Sequence, residues 1–221
     1  MDLDSATAKL KKLEIKSGHT FQNKNLLLQS MLHSSFVNEN RSLKLKCNER
    51  LEFLGDAVLE LVISEHLMSV LKNENEGVLS LKRSAMVREA TLAKLARKLR
   101  LQNYIIIGRG EREYSGGKRE ALLCDALEAF LGALYLDGGL KAAEKFILSV
   151  FKPCFDAIQH MDEEYNYKNQ IQEYAQGNLK CLPHYKLAKR MGPQHRQKFR
   201  VHLYLGNKYI TCGSGTSIKK A

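Results

Sequence analysis

Through most of the first 152 residues, apolar side chains recur at three- and four-residue spacing, the period of helices with one face against a core. The pattern runs through the opening segment, FQNKNLLLQSMLHSSF (21–36), CNERLEFLGDAVLE (47–60), ALLCDALEAFLGALYLD (121–137) and AAEKFILSVF (142–151). LSLKRSAMVREATLAKLARKLRL (79–101), with its lead-in ENEG, adds further helical stretches and continues into YIIIG (104–108). RGEREYSGGK (109–118) predicts a loop with Gly116-Gly117 at its turn, and Pro153 is expected to end the last helix. Strand signals are almost absent here.

Beyond this point the pattern changes. The polar stretch HMDEEYNYKNQ (160–170) predicts a linker, followed by a helix, NQIQEYAQGN, closed by Gly177. HYKLAKR, KFRVHLYLG and KYITCGSG then follow, rich in β-branched and aromatic residues and separated by turn residues, which predicts three strands. The expected fold is an all-α domain over residues 1–160 and a small α+β domain over 166–221, with no internal repeats.

Charge sharpens this division. The 221-residue chain carries a formal net charge of +11, yet residues 166–221 alone hold 11 Lys and Arg against the single acid Glu173. Such a segment predicts a polyanionic partner, and nucleic acid fits better than a membrane because no stretch forms a basic amphipathic anchor. The five cysteines are scattered without CxxC spacing, which argues against a disulfide framework or a zinc site and fits a reducing cytoplasm. No apolar run has the length of a signal peptide core or a membrane span.

The chemistry lies in acids at apolar helix positions. Glu49, Glu52 and Asp56 fall within about 60° of one another on a helical wheel, on a stripe that also carries Phe53, Leu59 and Ile63. Leu51, Leu54 and Val58 cover the other side, so the helix reads as apolar nearly all round. Asp125 and Glu128 stand likewise among Ala121, Leu122, Ala129 and Gly132. Converging, desolvated carboxylates repel one another, and with no matching arginines in either helix a divalent metal is the economical neutraliser. An all-oxygen set selects Mg²⁺ or Mn²⁺ over zinc.

NERLEFLGDAVL resembles the signature of the ribonuclease III family, and the likeness continues through ENEGVLSLKRSAMVRE and GGKREALLCDALEAFLGALYLD into a segment similar to a double-stranded-RNA-binding domain. The resemblance implies a bacterial-type Mg²⁺-dependent endoribonuclease, with Mn²⁺ able to substitute. It would act as a homodimer that cuts double-stranded RNA to 5′-phosphate and 3′-hydroxyl ends in the processing of ribosomal and other RNA. It makes Glu52, Asp56, Asp125 and Glu128 the catalytic, metal-binding acids and Glu49 and Glu76 auxiliary acids, with Phe53 a residue for insertion into the partner. Leu32 stands where the family more often has threonine, and His33 after it is expected to be structural.

In the C-terminal domain the resemblance assigns RNA contacts to Gln170, Gln172 and Glu173 on the helix, Gln194 and His195 in the GPQH turn, and Lys219 and Lys220. A-form RNA hides its base edges, so such a domain meets 2′-hydroxyls in two minor grooves and phosphates between them. The family's α-β-β-β-α order leaves the last helix only beginning at SIKKA, so the domain is expected to be truncated at that helix. Two other functions fit parts of the pattern: a non-catalytic RNA scaffold on the same fold, and an all-α phosphohydrolase of small nucleotides, which would not need the basic domain.

Overall fold

The computed structural model describes residues 3–115, 119–159, 166–193, 197–218 and 221. The chain forms two compact units, Met1–Ile158 and Gln159–Ala221.

The first unit is helical: α1 (Leu3–Ser17), α2 (Lys24–Ser30), α3 (Ser34–Glu39), α4 (Glu49–Val70), α5 (Glu76–Val87), α6 (Glu89–Leu99), α7 (Arg109–Ser115) and α8 (Glu120–Gln159). Local chemistry sets several starts. Asn23 caps α2 by accepting from the Asn25 amide, His33 caps α3 through the Ser35 amide, and Asn75 caps α5 through the Val78 amide. Extended backbone at Arg88 separates α5 from α6, and left-handed Arg100 closes α6.

The core is built around α8, where Leu122, Leu123, Ala126, Leu127, Phe130 and Leu134 are all buried. A helix apolar on every side belongs at the centre, and the others wrap it. The expectation that α4 is apolar nearly all round needs correction. Leu51, Gly55, Val58, Leu59, Val62, Ile63 and Leu67 are buried, whereas Phe53 is 81% exposed, Leu61 53% and Met68 64%. The helix thus has one dry face, a shoulder of acids beside it and an apolar stripe in solvent.

Three other boundaries differ from the sequence pattern. RGEREYS is helical, because the donors at the start of α7 find partners far away in sequence: the Arg109 amide donates to Glu39 at 2.8 Å and the Gly108 amide to Ser35 at 2.9 Å. The Gly116-Gly117 turn lies outside the described residues. Pro153 does not end α8; Phe151 before it and Cys154 and Phe155 after it stay packed on the core, which offsets the missing amide. The break between the two predicted segments falls instead at Gly139, with φ 72°. YIIIG makes a parallel bridge, Ile106 to Leu32, with the His33 amide donating to the Ile106 carbonyl at 3.0 Å.

The second unit contains α9 (Asn166–Asn178) and an antiparallel sheet of β1 (Pro183–Met191), β2 (Lys198–Leu205) and β3 (Lys208–Gly215), in that order. This is the fold class expected, although α9 begins inside the stretch read as linker, of which residues 160–165 lie outside the described residues. Ala175, Val201 and Leu203 are buried, so α9 lies on the sheet face that Val201 and Leu203 share.

Candidate active site

The site depends on where two helices cross. A Cβ on Gly55 of α4 would overlap the backbone carbonyl of Glu128, and one on Gly132 of α8 would overlap that of Leu51. The helices therefore meet backbone to backbone, an approach only glycine permits. Glu52 and Asp56 bracket Gly55, while Glu128 and Asp125 lie one and two turns before Gly132. The crossing that packs the core thereby turns acids from two distant segments toward one another.

Their mutual influence is plain in the acidities. Burial lifts the Glu52 carboxyl above its ordinary range, and the charges of Asp125, Glu49 and Asp56 lift it further. Burial, with Asp56, Glu52 and Asp125, pushes Glu128 up to about 8. Asp125 is also raised by burial, with His33 and Arg119 pulling it down and Glu89 adding repulsion. Repulsion and desolvation thus disfavour the charged form of all three, most of all Glu128. Such a site gains from a cation.

Four neighbours were not singled out for this role in the sequence. Cys124, Asp125 and Glu128 offer ligand atoms all within 4.8 Å of one another. The Cys124 thiol hydrogen-bonds to Glu128, and burial together with the Glu128 and Asp125 charges pushes that thiol far up. It remains a protonated donor that orients the carboxylate. Glu89, in the first turn of α6, Arg119 and His33 all act on Asp125. His33 caps α3, its ring nitrogen accepting from the Ser35 amide, and its ring also lies near Asp125. Glu89 and Arg119 lie within the stretches that carry the resemblance, but only the tertiary fold brings them near Asp125.

The auxiliary acids sit differently. Glu49 opens α4, exposed, and its charge reaches Glu52. Glu76 opens α5, exposed, and accepts the Ser80 hydroxyl at 2.7 Å within its own helix. In the second unit Gln172 and Glu173 are exposed on α9. Gln194, His195, Lys219 and Lys220 lie outside the described residues, as does the side chain of Gln170.

Residues 23–154 match the family model described as ribonuclease-III-like, and residues 167–221 match that of the double-stranded RNA binding motif. Ribonuclease 3 of Enterococcus faecalis is 46% identical over 209 residues, which cover 95% of this chain and 90% of that protein. Ribonuclease 3 of Borreliella burgdorferi is 43% identical over 201 residues, covering 91% and 82% respectively. Among solved structures, the nuclease domain of ribonuclease III from Campylobacter jejuni, described for flexibility in a region involved in dimer formation, is 39% identical with a TM-score of 0.62. It matches 66% of this chain and 99% of its own. No helix among the described residues is long and apolar enough to cross a membrane.

Proposed function

Because the chain belongs to the ribonuclease III family and is an endoribonuclease, we propose that Glu52, Asp56, Asp125 and Glu128 hold the divalent cation with which it cuts double-stranded RNA. The observation that supports this is the Gly55/Gly132 crossing, with half-buried Glu52 and exposed Asp56 on one helix and Asp125 and Glu128 on the other. The donor set fits Mg²⁺, with Mn²⁺ as a substitute. It consists chiefly of hard carboxylate oxygens, which suit such cations, with the Cys124 sulfur beside Asp125 and Glu128. When bound, the cation supplies an activated water and charge stabilisation at the scissile phosphate, leaving 5′-phosphate and 3′-hydroxyl ends.

The protein's own groups prepare that site. With its carboxyl pushed up to about 8, Glu128 would give up a proton on holding a cation, so binding and proton release would be linked. Cys124 fixes the direction of the Glu128 carboxylate, and Glu49 and Glu76 serve as outlying acids. The duplex is gripped chiefly by the basic second domain, through Gln170, Gln172 and Glu173 on α9, Gln194, His195, Lys219 and Lys220.

Two copies of the chain pair through the exposed stripe of α4, with Phe53 inserting into the partner. A two-fold dimer matches the quasi-two-fold symmetry of a duplex, one site to each strand. The enzyme works in the cytoplasm on precursors of ribosomal and other RNA. Incubating the chain with a long RNA duplex, with Mg²⁺ or with chelator, and determining the product ends tests this function. An RNA scaffold would bind without cutting.

A further inference from the structure

The sheet of the second unit has a second face, turned away from α9. Side chains alternate across a strand, and residues paired across an antiparallel ladder share a face. Val201 and Leu203 point toward α9, so Arg200, His202 and Tyr204 point the other way. With them stand their ladder partners Lys186 and Lys189 on β1 and Tyr209 on β3. The bulges between Leu187 and Lys189 and between Leu203 and Tyr204 restore this alternation, placing Lys189 and Tyr209 on the outer side.

This face has a particular chemistry. The rings of His202 and Tyr209 lie 5.1 Å apart and those of Tyr204 and Tyr209 5.7 Å apart, both edge-on. Tyr209 is 48% exposed. Its hydroxyl shares a hydrogen bond with Cys212 and feels the positive charge of Arg200. Lys186, Lys189 and Arg200 are exposed around the rings, and no acid occurs anywhere from Pro183 to Gly215.

Aromatic residues suit strands in general, but that preference does not account for a ring cluster on an exposed face that carries basic side chains and no acid. Protein interfaces are depleted of lysine, whereas this surface is rich in it. The bases of a closed duplex offer no face for stacking; those of an unpaired strand do, and stacking beside basic groups is how sequence-tolerant single-strand sites are built. We propose that the outer face of the sheet binds single-stranded RNA, with unpaired bases stacking on Tyr209 and Tyr204 and phosphates meeting Lys186, Lys189 and Arg200. This rests on the proposed function and extends it, since the unpaired strand flanking a duplex becomes a second recognised element of the substrate.

The test uses the full chain with Glu128→Gln to silence cutting. Three probes are titrated: an oligouridylate, a blunt RNA duplex, and the same duplex with a single-stranded uridine tail. Tyr209→Ala should weaken oligouridylate binding about tenfold, the loss of one stacked base, and abolish the advantage of the tailed over the blunt duplex. Blunt-duplex affinity should not change. Tyr209→Phe keeps the ring and should bind as the parent does, and Lys186→Ala should lower oligouridylate affinity and flatten its salt dependence. Equal oligouridylate binding by the parent, Tyr209→Ala and Lys186→Ala would overturn the proposal, as would failure of the parent to bind it. A change in oligomeric state with unaltered RNA binding would also overturn it, marking the face as a protein interface. Loss of blunt-duplex binding by the parent is a separate result, which counts against the proposed function.

Discussion

Without a divalent cation, Glu128→Gln is expected to make the protein more stable at alkaline pH, although it removes a native residue from the site. Burial and the charges of Asp56, Glu52 and Asp125 lift the Glu128 carboxyl from 4.5 to about 8. That lift bounds the penalty on the ionised form at about 5 kcal/mol. Part of the side chain still reaches water, so about 1–3 kcal/mol is the expected effect on stability. The folded chain holds this proton more tightly than the unfolded chain does, so stability is full below pH 4.5 and drains away as pH rises to about 8. Glutamine does not ionise, so the variant escapes the loss. In chelator the helical signal should melt roughly 2–12 °C higher for the variant near pH 9, with the gap closing near pH 5. Adding Mg²⁺ should raise the parent's midpoint more than the variant's, because the cation relieves the same repulsion. A variant that melts at or below the parent at both pH values would refute the reasoning.

Three further outcomes follow from particular contacts. Gly55→Ala should lower the melting temperature and abolish cleavage together, because its methyl meets the Glu128 backbone, which has no room to yield; the loss should exceed the roughly 1–3 kcal/mol of ordinary overpacking. The Asp137 carboxylate is 2% exposed and accepts from His19 and from the Gln22 and Asn23 amides. Burial raises its pKa, but those hydrogen bonds outweigh burial and leave it below the ordinary 3.8. Its stabilisation is therefore present above that value and lost as pH falls through the lower one. Asp137→Asn should cost about 1.5–3 kcal/mol at neutral pH and much less in acid, as seen by denaturant unfolding at the two pH values. Phe53→Asp should shift the chain toward monomer in sedimentation, since it places a charge in the exposed stripe of α4.

Much of this architecture was written in the periodicity, because helices that share one core must repeat their apolar positions. The charge step at the second domain and its three strand-like runs were equally visible. The acids stood out as charges in apolar surroundings, and α8 fully justifies that argument. For α4 the argument was only half right. Periodicity cannot tell an apolar residue bound for the core from one left in solvent, and Phe53, part of a helix that reads as apolar nearly all round, stands in solvent. The helix at RGEREYS was hidden because its first donors are satisfied by Glu39 and Ser35, some seventy residues earlier. Pro153 misled because packing of Phe151 and Phe155 outweighs a rule that concerns the backbone alone. Cys124 and Glu89 are ordinary helix residues in sequence, and only the fold gives them Glu128 and Asp125 as neighbours.

The central claim is that carboxylates brought together at the crossing of α4 and α8 hold the cation that makes this chain cut duplex RNA. It is tested most directly by single-turnover cleavage of a long RNA duplex, with binding to the same duplex measured in parallel, for the parent chain and for Glu128→Gln. Losing that carboxylate should remove several kcal/mol of barrier lowering. The predicted result is cleavage slower by orders of magnitude, partly restored at high Mn²⁺, with duplex binding intact. Cleavage by Glu128→Gln at close to the parent rate, or cleavage by the parent in chelator, would contradict it.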